Sequence, residues 1–431
     1  MTRMAALAGT GAKVGLNYLK YYGKRALSGD NDRGELHASN ASDVYKTFSQ
    51  LKGGPLKMAQ MLSIDKNLLP PAYADQFSQA QYSAPPLSYP LVARTFRREF
   101  GKDPLELFDS FSRRAAHGAS IGQVHKAARD GREYAVKVQY PGVADSLRSD
   151  LRVVKPIALQ IMGLRERDVA DYFREVEERL MEETDYELEL QRSIQLSAAC
   201  GDLLDVEFPT YYPELSSKRV LTMDWIAGLT LDKFADSDAS QSERDRVGQA
   251  LWDFYHHQIH TLLLFHADPH PGNFLVRDGQ LVVLDFGCTK QLEEPFYRKQ
   301  FRFLDPMLVL DETALEAALE EMGILLPTDS LTQRDEIRRV VQGSIQLLGR
   351  PFTEGVFDFG ESNFMNSIYE IGQENRDNTM LKSARGARGS ADSIYVNRAY
   401  FGLYSLLSRL QARVRTRLPE WLERSAADSI S

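Results

Sequence analysis

The chain has 431 residues, of which 43% are hydrophobic and 26% are charged, and its formal net charge is −8. This composition is that of a globular protein, and it excludes a disordered or low-complexity chain. The acidic balance argues against nucleic-acid binding, because proteins with that role carry an excess of Lys and Arg. Two cysteines exclude a disulfide framework and a zinc cluster, and no run of about 18 apolar residues predicts a membrane-spanning helix.

The first 29 residues differ from the acidic total, because all their charged side chains are basic. Aromatic and aliphatic residues alternate with the lysines around Lys20 and Lys24. Such a segment suits peripheral contact with an anionic membrane or packing on its own domain, and the sequence favours neither. Small and polar residues up to Ser42 predict a linker. We therefore expect a cytoplasmic protein, with peripheral membrane contact left open, and no secretory signal is visible.

Two helices are predicted before the first strand. A weakly periodic helical region is predicted from Asp43 to Leu69, where Lys57 and Gln60 share one face. Taken alone, these two polar side chains favour a surface pair. The second helix is predicted at Leu91–Phe100, and Gly101 ends it.

A run of small residues, Ala115–Ser120, precedes a predicted strand at Glu133–Tyr140. Small side chains let backbone N–H groups approach a phosphate closely, so the run is a candidate nucleotide loop. Lys137 lies in the strand among apolar neighbours. A lysine is poorly suited to a buried strand unless an anion pairs with it, and the alternative is an edge-strand lysine that faces water.

A long helix is predicted from Glu166 to Leu204, and its second half is acidic. Asp185 and Glu189 are four residues apart and would lie one turn apart on one face of this helix. Such carboxylates are either solvated or share a cation. A solvated face is the usual case for a charge run, and Lys137 and Lys57 are the candidate cations for the alternative.

The remaining predicted elements lie before and after the stretch Phe265–Asn273. A strand is predicted at Arg219–Gly228, where a hinge backbone would meet a nucleotide base, and a core helix at Val247–Leu264. The chain after Gly287 is predicted to be mostly helical. It includes a basic loop at Arg376–Asp392 and a last helix at Arg398–Leu418.

The stretch Phe265–Asn273, FHADPHPGN, carries the clearest chemical signal. Asn273 follows Asp268 by five residues, and a short apolar run leads from there to Asp285-Phe286-Gly287. Phosphoryl transfer requires a carboxylate near the attacking oxygen, and an amide oxygen with a second carboxylate to hold Mg²⁺. The spacing is typical of the catalytic and metal loops of the protein-kinase fold. The alternative is a Pro/Gly turn before a buried strand.

These motifs together resemble the UbiB family of atypical kinases, which are protein-kinase-like ATPases linked to ubiquinone biosynthesis. The resemblance extends from about Leu51 to Leu410 and keeps the family's motif order. It implies an α+β, two-lobed protein-kinase-like fold with a helical N-terminal extension. The implied domains are a basic segment and linker at 1–42, a helical extension with the KxGQ-like motif at 43–107, an N-lobe at 108–227 and a helical C-lobe at 228–431.

The resemblance also implies a role for individual residues. Catalytic roles belong to Asp268, Lys137 and Glu189. The nucleotide contacts are Ala119, Ser120, Ile121, Gly122, Gln123, Val124, Lys137 and the backbone of Asp224 and Ile226. The Mg²⁺ ligands are Asn273 and Asp285. A gate over the site is formed by Lys57, Gln60, Glu183 and Asp185.

Several positions depart from the family pattern. Ala59 replaces the glycine of the KxGQ motif, and His117 and Gly118 interrupt a series of alanines. Leu190-Gln191-Arg192 follow Glu189 where the family has Ala-x-Asn. The effect of Ala59 and the nucleotide preference therefore stay open.

The expected function is that of a Mg-ATP-dependent ATPase that supports ubiquinone biosynthesis, without protein kinase activity in trans. A small-molecule phosphotransferase of the aminoglycoside/choline kinase type, and a non-catalytic nucleotide-binding scaffold, are the alternatives. The expected partners are a nucleotide, a lipid or quinone precursor, a membrane surface, and a second copy or a lipid-biosynthesis complex, but not nucleic acid.

Overall fold

The computed structural model describes residues 40–44, 46, 87–119, 121–162, 173–174, 177–178, 180–378, 380–381 and 388–423. Lys57, Gln60, Ala59, Ser120 and the basic N-terminal segment lie outside these ranges. The chain divides into two compact units, Met1–Ile194 with Thr210–Ile226, and Gln195–Pro209 with Ala227–Ser431. Every helix that the structure describes is too short or too polar to cross a membrane.

The described helices and strands occur in groups along the chain. The helices are α1 (Tyr89–Phe100), α2 (Pro104–Leu107), α3 (Val143–Met162), α4 (Tyr186–Ala199), α5 (Leu231–Ala235), α6 (Gln241–His257), α7 (Glu294–Phe301), α8 (Pro306–Leu310), α9 (Glu312–Glu321), α10 (Leu331–Thr353), α11 (Ser362–Asp377) and α12 (Ala391–Leu410). The strands are β1 (Ser110–Phe111), β2 (His117–Gly118), β3 (Gly122–Arg129), β4 (Arg132–Gln139), β5 (Val206–Glu207), β6 (Val220–Asp224), β7 (Leu229–Thr230), β8 (Leu264–His266), β9 (Phe274–Arg277), β10 (Gln280–Val283), β11 (Thr289–Gln291), β12 (Val356–Asp358) and β13 (Arg413–Arg415).

An antiparallel sheet in the order β1-β3-β4-β6, with β2 on β3, organises the first unit. The β3–β4 hairpin turns at Asp130 and Gly131, whose φ angles of 51° and 76° are those of a left-handed two-residue turn. Val136 and Val138 alternate with Lys137 on β4 and are fully buried. The two valines belong to one core cluster with Phe96 of α1. Both the helix ended by Gly101 and the strand that carries Lys137 are therefore confirmed.

The long acidic helix was predicted incorrectly at two points. The chain leaves helical geometry at Thr184 and Asp185 and starts a new helix, α4, at Tyr186. Asp185 Oδ1 accepts hydrogen bonds from the N–H groups of Glu187 and Leu188, each 3.2 Å long. An aspartate that satisfies these first N–H groups is more favourable as a helix cap than inside a helix. The helix α4 also ends earlier than predicted, at Ala199.

The second unit has a large apolar core around α6. The sheet β5-β10-β9-β7 and α12 contribute to the same cluster, with the fully buried Phe254, Phe274 and Phe286 among its members. The predicted core helix is confirmed, but its end differs. The α6 helix gives way to a π-helical turn at Gln258–Leu262, and Leu263 has a left-handed φ of 52°. This turn reverses the chain into β8, the strand before Ala267 and Asp268.

The last helix begins earlier and ends earlier than predicted. The α12 helix ends at Leu410, because Gln411 adopts a left-handed φ of 53°. The next residues form β13, which pairs antiparallel with β12. Backbone partners from a distant segment thus replace the helical hydrogen bonds that the local sequence allowed. The helices α7 to α12 otherwise confirm the predicted helical character of the segment after Gly287.

Candidate active site

The small-residue loop is folded as the β2–β3 hairpin. His117 pairs with Val124 and Gly118 with Gln123, and the Ala119 N–H donates to the Gly122 carbonyl over 2.9 Å. The Gly122 position has no room for a side chain, because a Cβ there would lie 2.5 Å from the Val138 carbonyl oxygen. The hairpin therefore holds the backbone of Ile121 and Gly122 close to β4, and the Tyr140 N–H donates to the Ile121 carbonyl over 2.9 Å. Ser120 itself lies outside the described residues.

The side chain of Gln123 has a structural place within this loop. Its Oε1 accepts from the Leu87 N–H over 2.6 Å, and its Nε2 lies 2.8 Å from His125 Nε2. The other ring nitrogen of His125, Nδ1, lies 2.7 Å from the Ser112 carbonyl. Both contacts of His125 are hydrogen bonds when its ring is neutral, because Nδ1–H then donates to the Ser112 carbonyl and Nε2 accepts from the Gln123 amide. Burial lowers the pKa of His125, which favours that state.

Lys137 and Glu189 form the central ion pair of the first unit. Lys137 Nζ lies 2.7 Å from Glu189 Oε1, and the two side chains are 9% and 3% exposed. The Tyr186 ring lies 5.1 Å from Nζ. Gln139, two residues along β4, donates to the Thr184 carbonyl over 2.8 Å and so fixes the turn before α4. The strand and the helix cap together place Glu189 opposite Lys137, as the sequence predicted, and an edge-strand lysine facing water is excluded.

The other two predicted acidic residues have separate environments. Glu183 is buried, whereas Asp185 caps α4 and lies 3.7 Å from Lys218 Nζ. Their predicted partner Lys57 lies outside the described residues, so the gate stays a prediction.

The hinge at the end of β6 is held by its own side chains. Asp224 accepts from the Thr210 N–H over 2.9 Å and from the Tyr212 hydroxyl over 2.7 Å. Burial opposes ionisation of Asp224, but these hydrogen bonds outweigh it, and the pKa is lowered. The Trp225 N–H donates to the Glu133 carbonyl, which continues the sheet. The predicted base contacts remain those of the backbone of Asp224 and Ile226.

An aromatic contact joins this hinge to the loop. The His117 ring stacks on the Trp225 ring, with centroids 5.9 Å apart and an interplanar angle of 20°. Lys126 Nζ lies 5.2 Å from the same indole. His117 lies in the loop where the resemblance implies consecutive alanines, and its ring contacts the hinge.

In the second unit, the predicted catalytic loop follows a strand that buried hydrogen bonds hold in place. The Gln258 Oε1 accepts from the His266 N–H over 2.9 Å, and the Tyr255 hydroxyl lies 3.2 Å from His266 Nδ1. One residue on, the Ala267 N–H donates to the Cys288 carbonyl over 2.8 Å. Asp268 therefore follows a rigid strand end.

The Asp268 carboxylate is oriented by a residue that the sequence reasoning did not nominate. Arg398, on α12, donates from Nη2 to Asp268 Oδ1 over 2.6 Å, and the side chains of Arg398 and Asp268 are 10% and 24% exposed. One turn along α12, a Cβ on Gly402 would lie 2.1 Å from Pro269 Cγ. The missing side chain at Gly402 thus lets α12 lie against the catalytic loop. No local pattern signals this contact, because 130 residues separate the two partners.

Asn273 and Asp285 supply oxygens of the type that Mg²⁺ prefers. Asn273 Nδ2 donates to the Asp268 carbonyl over 3.0 Å, which turns its Oδ1 away from that carbonyl. The Asn273 carbonyl accepts from the Leu284 N–H, and Asp285 Oδ1 accepts from the Gly287 N–H over 2.7 Å. Phe286 is fully buried and anchors the metal loop.

The donor set fits a magnesium ion that a nucleotide helps to bind. Within the described ranges, no group of three or more His, Cys, Asp or Glu side chains could hold a metal ion. A Mg²⁺ ion whose other ligands are phosphate oxygens and water needs only one or two protein carboxylates. Asn273 and Asp285 would be the residues that hold it.

The family model of the ABC1 atypical kinase-like domain matches residues 79–319. Protein ACTIVITY OF BC1 COMPLEX KINASE 8, chloroplastic, from Arabidopsis thaliana is 31% identical over 293 residues, covering 65% of this chain and 38% of the relative. Atypical kinase coq-8, mitochondrial, from Caenorhabditis elegans is 30% identical over 397 residues, covering 88% of this chain and 50% of the relative. The chain thus spans half or less of the length of these two relatives.

A solved structure is also similar. The complex of Rv3197 with erythromycin from Mycobacterium tuberculosis has a TM-score of 0.57 and 26% identity, with 88% of this chain and 94% of that chain covered. This likeness confirms the α+β protein-kinase-like fold class. The family match contains the strand of Lys137 and both loops of the second unit, and it confirms the resemblance to UbiB-type kinases. This chain belongs to the ABC1 atypical kinase-like family.

Proposed function

We propose that this chain binds Mg-ATP and transfers the γ-phosphoryl group to water or to a small lipid-linked acceptor. The bond between the γ-phosphorus and the bridging oxygen breaks, and ADP leaves. The observation that carries the proposal is the ion pair of Lys137 and Glu189, which is short and almost sealed from solvent. A buried ion pair contributes little net stability compared with apolar packing. Its value here is a fixed ammonium group, which in kinase-like folds meets the α- and β-phosphates.

We then assign one role to each predicted site residue and to Arg398. Lys137 donates to phosphate oxygens, and Glu189 fixes the position of its Nζ. Asp268 orients the attacking water or hydroxyl, and Arg398 fixes the plane of that carboxylate. Asn273 and Asp285 hold Mg²⁺, which when bound neutralises negative charge on the phosphate oxygens. Catalysis of this kind consists of positioning and charge neutralisation.

Support of isoprenoid quinone biosynthesis is the biological role that we propose, on the strength of family membership and of a relative named coq-8. A protein substrate is not part of the proposal, because the resemblance implies that the KxGQ-like segment covers the place of such a substrate. Contact of the basic N-terminus with an anionic membrane belongs to the same proposal.

The test is ATP hydrolysis by the wild type and by Asp285→Asn. We expect turnover to fall about 100-fold or more, because an amide cannot replace the charged metal ligand. Asp278→Asn is the matched control, since Asp278 is an exposed turn residue at the other end of β10, with a left-handed φ of 52° that asparagine tolerates. Undiminished hydrolysis by Asp285→Asn contradicts the assignment.

The acceptor is tested by adding anionic liposomes and a soluble mimic of a quinone precursor to the same assay. Stimulation by either supports the lipid-linked role. A nucleotide-induced thermal shift without turnover under every condition favours the scaffold alternative.

A further inference from the structure

A two-stranded ribbon joins the catalytic loop to the metal loop. The strands β8 and β11 pair antiparallel, with Thr289 opposite His266 and Lys290 opposite Phe265. The strand β8 ends two residues before Asp268, and β11 begins four residues after Asp285. A shift of β11 along or away from β8 would therefore change the position of Asp285 relative to Asp268.

One face of α12 contacts this ribbon and the loop that follows β8. Asp392, Tyr395, Arg398 and Gly402 are spaced by three, three and four residues, so they follow one another along one side of the helix. Arg398 and Gly402 contact the catalytic loop, as described above. Asp392 and Tyr395 contact the other strand of the ribbon through Lys290.

The Lys290 contact is short and shielded. Its Nζ lies 2.6 Å from Asp392 Oδ1, and the Lys290 and Asp392 side chains are 10% and 28% exposed. The Tyr395 ring lies 5.1 Å from the same Nζ. A buried lysine on a strand is costly unless it is paired, and a pair shielded from water is screened little by salt. Asp392 is itself held in the first turn of α12, where its N–H donates to the Ser390 hydroxyl.

We propose that Lys290 and Asp392 are positioning residues, whose ion pair locks β11 to α12 and thereby fixes the metal ligand Asp285 relative to Asp268. With Arg398, α12 then holds both loops from one face. The inference rests on the proposed function, because it assigns to the pair an effect on metal-dependent phosphoryl transfer. Lys290 and Asp392 are not among the residues that we assign to the phosphates or to the metal, so we assign their effect to the backbone between Gly287 and Lys290.

This placement predicts a selective defect. Loss of the pair should weaken the metal site and lower kcat, because residues that orient a metal ligand typically change metal affinity or activity by about tenfold or more. The affinity for the nucleotide through Lys137 and Glu189 should change little, because that ion pair belongs to the first unit.

The experiment compares Lys290→Met, Asp392→Asn and the double variant with the wild type. Lys290→Arg retains the charge and serves as the conservative variant. Ser393→Ala is the matched control, because Ser393 lies next to Asp392 and its hydroxyl donates to Gln300 on α7 instead of the ribbon. The measurements are kcat, KM for ATP at saturating Mg²⁺, and Mn²⁺ affinity by electron paramagnetic resonance with a non-hydrolysable ATP analogue.

We expect each single variant to lower kcat and Mn²⁺ affinity about tenfold, with KM changed less than about twofold. The double variant should be no worse than the poorer single, since both remove one interaction. Lys290→Arg and Ser393→Ala should stay near the wild type. Unchanged Mn²⁺ affinity in Lys290→Met, or an equal loss in Ser393→Ala, overturns the positioning role while wild-type turnover stands. A wild type that neither binds Mn²⁺ with the analogue nor hydrolyses ATP overturns the proposed function and this inference together.

Discussion

Two ion pairs of nearly equal length differ in how far solvent reaches them. Lys137 and Glu189, in the first unit, are 2.7 Å apart with side chains 9% and 3% exposed. Arg398 and Asp268, in the second unit, are 2.6 Å apart, and Asp268 remains 24% exposed. Because both side chains of the Lys137–Glu189 pair are buried, removing one partner leaves an uncompensated buried charge. In the second pair, Arg398 orients the Asp268 carboxylate but leaves it accessible to solvent. Loss of this pair should therefore reduce turnover more than folding stability.

The largest effect on stability is expected from Lys137→Met. The buried Glu189 would lose its cation, and the free energy of unfolding should fall by about 3 kcal/mol. The double variant Lys137→Met with Glu189→Met should recover most of that loss without recovering turnover. Urea denaturation of both variants measures the effect.

Lys126→Met is the control for the sealed pair. Lys126 pairs with Glu133 over 2.6 Å on the neighbouring strands, but these side chains are 41% and 55% exposed. Its removal should cost less than about 1 kcal/mol. Equal destabilisation by the two Lys→Met changes would show that exposure does not distinguish the pairs.

Arg398→Ala should act mainly on turnover. We expect kcat to fall about 30-fold, because the Asp268 carboxylate loses its fixed orientation, while the melting temperature changes little. Arg409→Ala is the matched control, because Arg409 lies on the same helix in an exposed pair with Asp236. Steady-state kinetics and thermal melts of both variants measure the two effects. A large loss of stability with normal kcat in Arg398→Ala would contradict the expectation that the Arg398–Asp268 pair acts on turnover and the Lys137–Glu189 pair on stability.

The two units should also differ in their response to acid. In the second unit, burial lowers the pKa of His256 to about 4 and also lowers the pKa of the neighbouring His260. In the described part of the first unit, burial lowers the pKa of one histidine, His125. Between these lowered values and the ordinary 6.5, the unfolded chain binds more protons than the folded chain. Stability therefore decreases as the pH falls, on the order of 1–2 kcal/mol between pH 7 and 5 for His256 alone.

In the part of the chain that the structure describes, Trp252, His257, His260 and Arg417 face His256. A hydrogen bond to the Arg417 backbone favours the charged form of His256, but burial outweighs it and the pKa is lowered. Hydrogen exchange at pH 5 should show peptides of the second unit losing protection first. His256→Phe should flatten the pH dependence of unfolding. Identical pH profiles for that variant and the wild type would contradict the assignment to His256.

The smallest effect is expected at the contact of His117 with Trp225. His117→Ala should weaken nucleotide binding about threefold with kcat unchanged, because one aromatic contact between loop and hinge is worth about 0.5–1 kcal/mol. Trp225→Phe keeps an aromatic face and should match the wild type. Titration with a fluorescent ATP analogue measures the affinity. Tighter binding in His117→Ala would show that the contact restrains the loop instead of supporting it.

Much of the first unit was predictable because its signals are local. Gly101 ends α1, Asp130-Gly131 turns the β3–β4 hairpin, and the alternation around Lys137 gives a strand with both valines buried. The pairing of Lys137 with Glu189 was also expected, since a buried lysine requires an anion. The break before α4 was missed because an acidic run fits a helix by propensity, and the capping hydrogen bonds of Asp185 appear only in three dimensions.

The sequence by itself determined the family and the fold class, and it predicted the roles of the two loops, because each depends on residue types at fixed short spacings. Tertiary structure decided what holds those loops. Arg398 meets Asp268 across 130 residues, and Lys290 meets Asp392 after a comparable separation. Such contacts have no period and no local spacing, because they arise when a helix packs on a distant ribbon. The end of α12 at Gln411 has the same cause, since β12 supplies backbone partners that no local rule reveals.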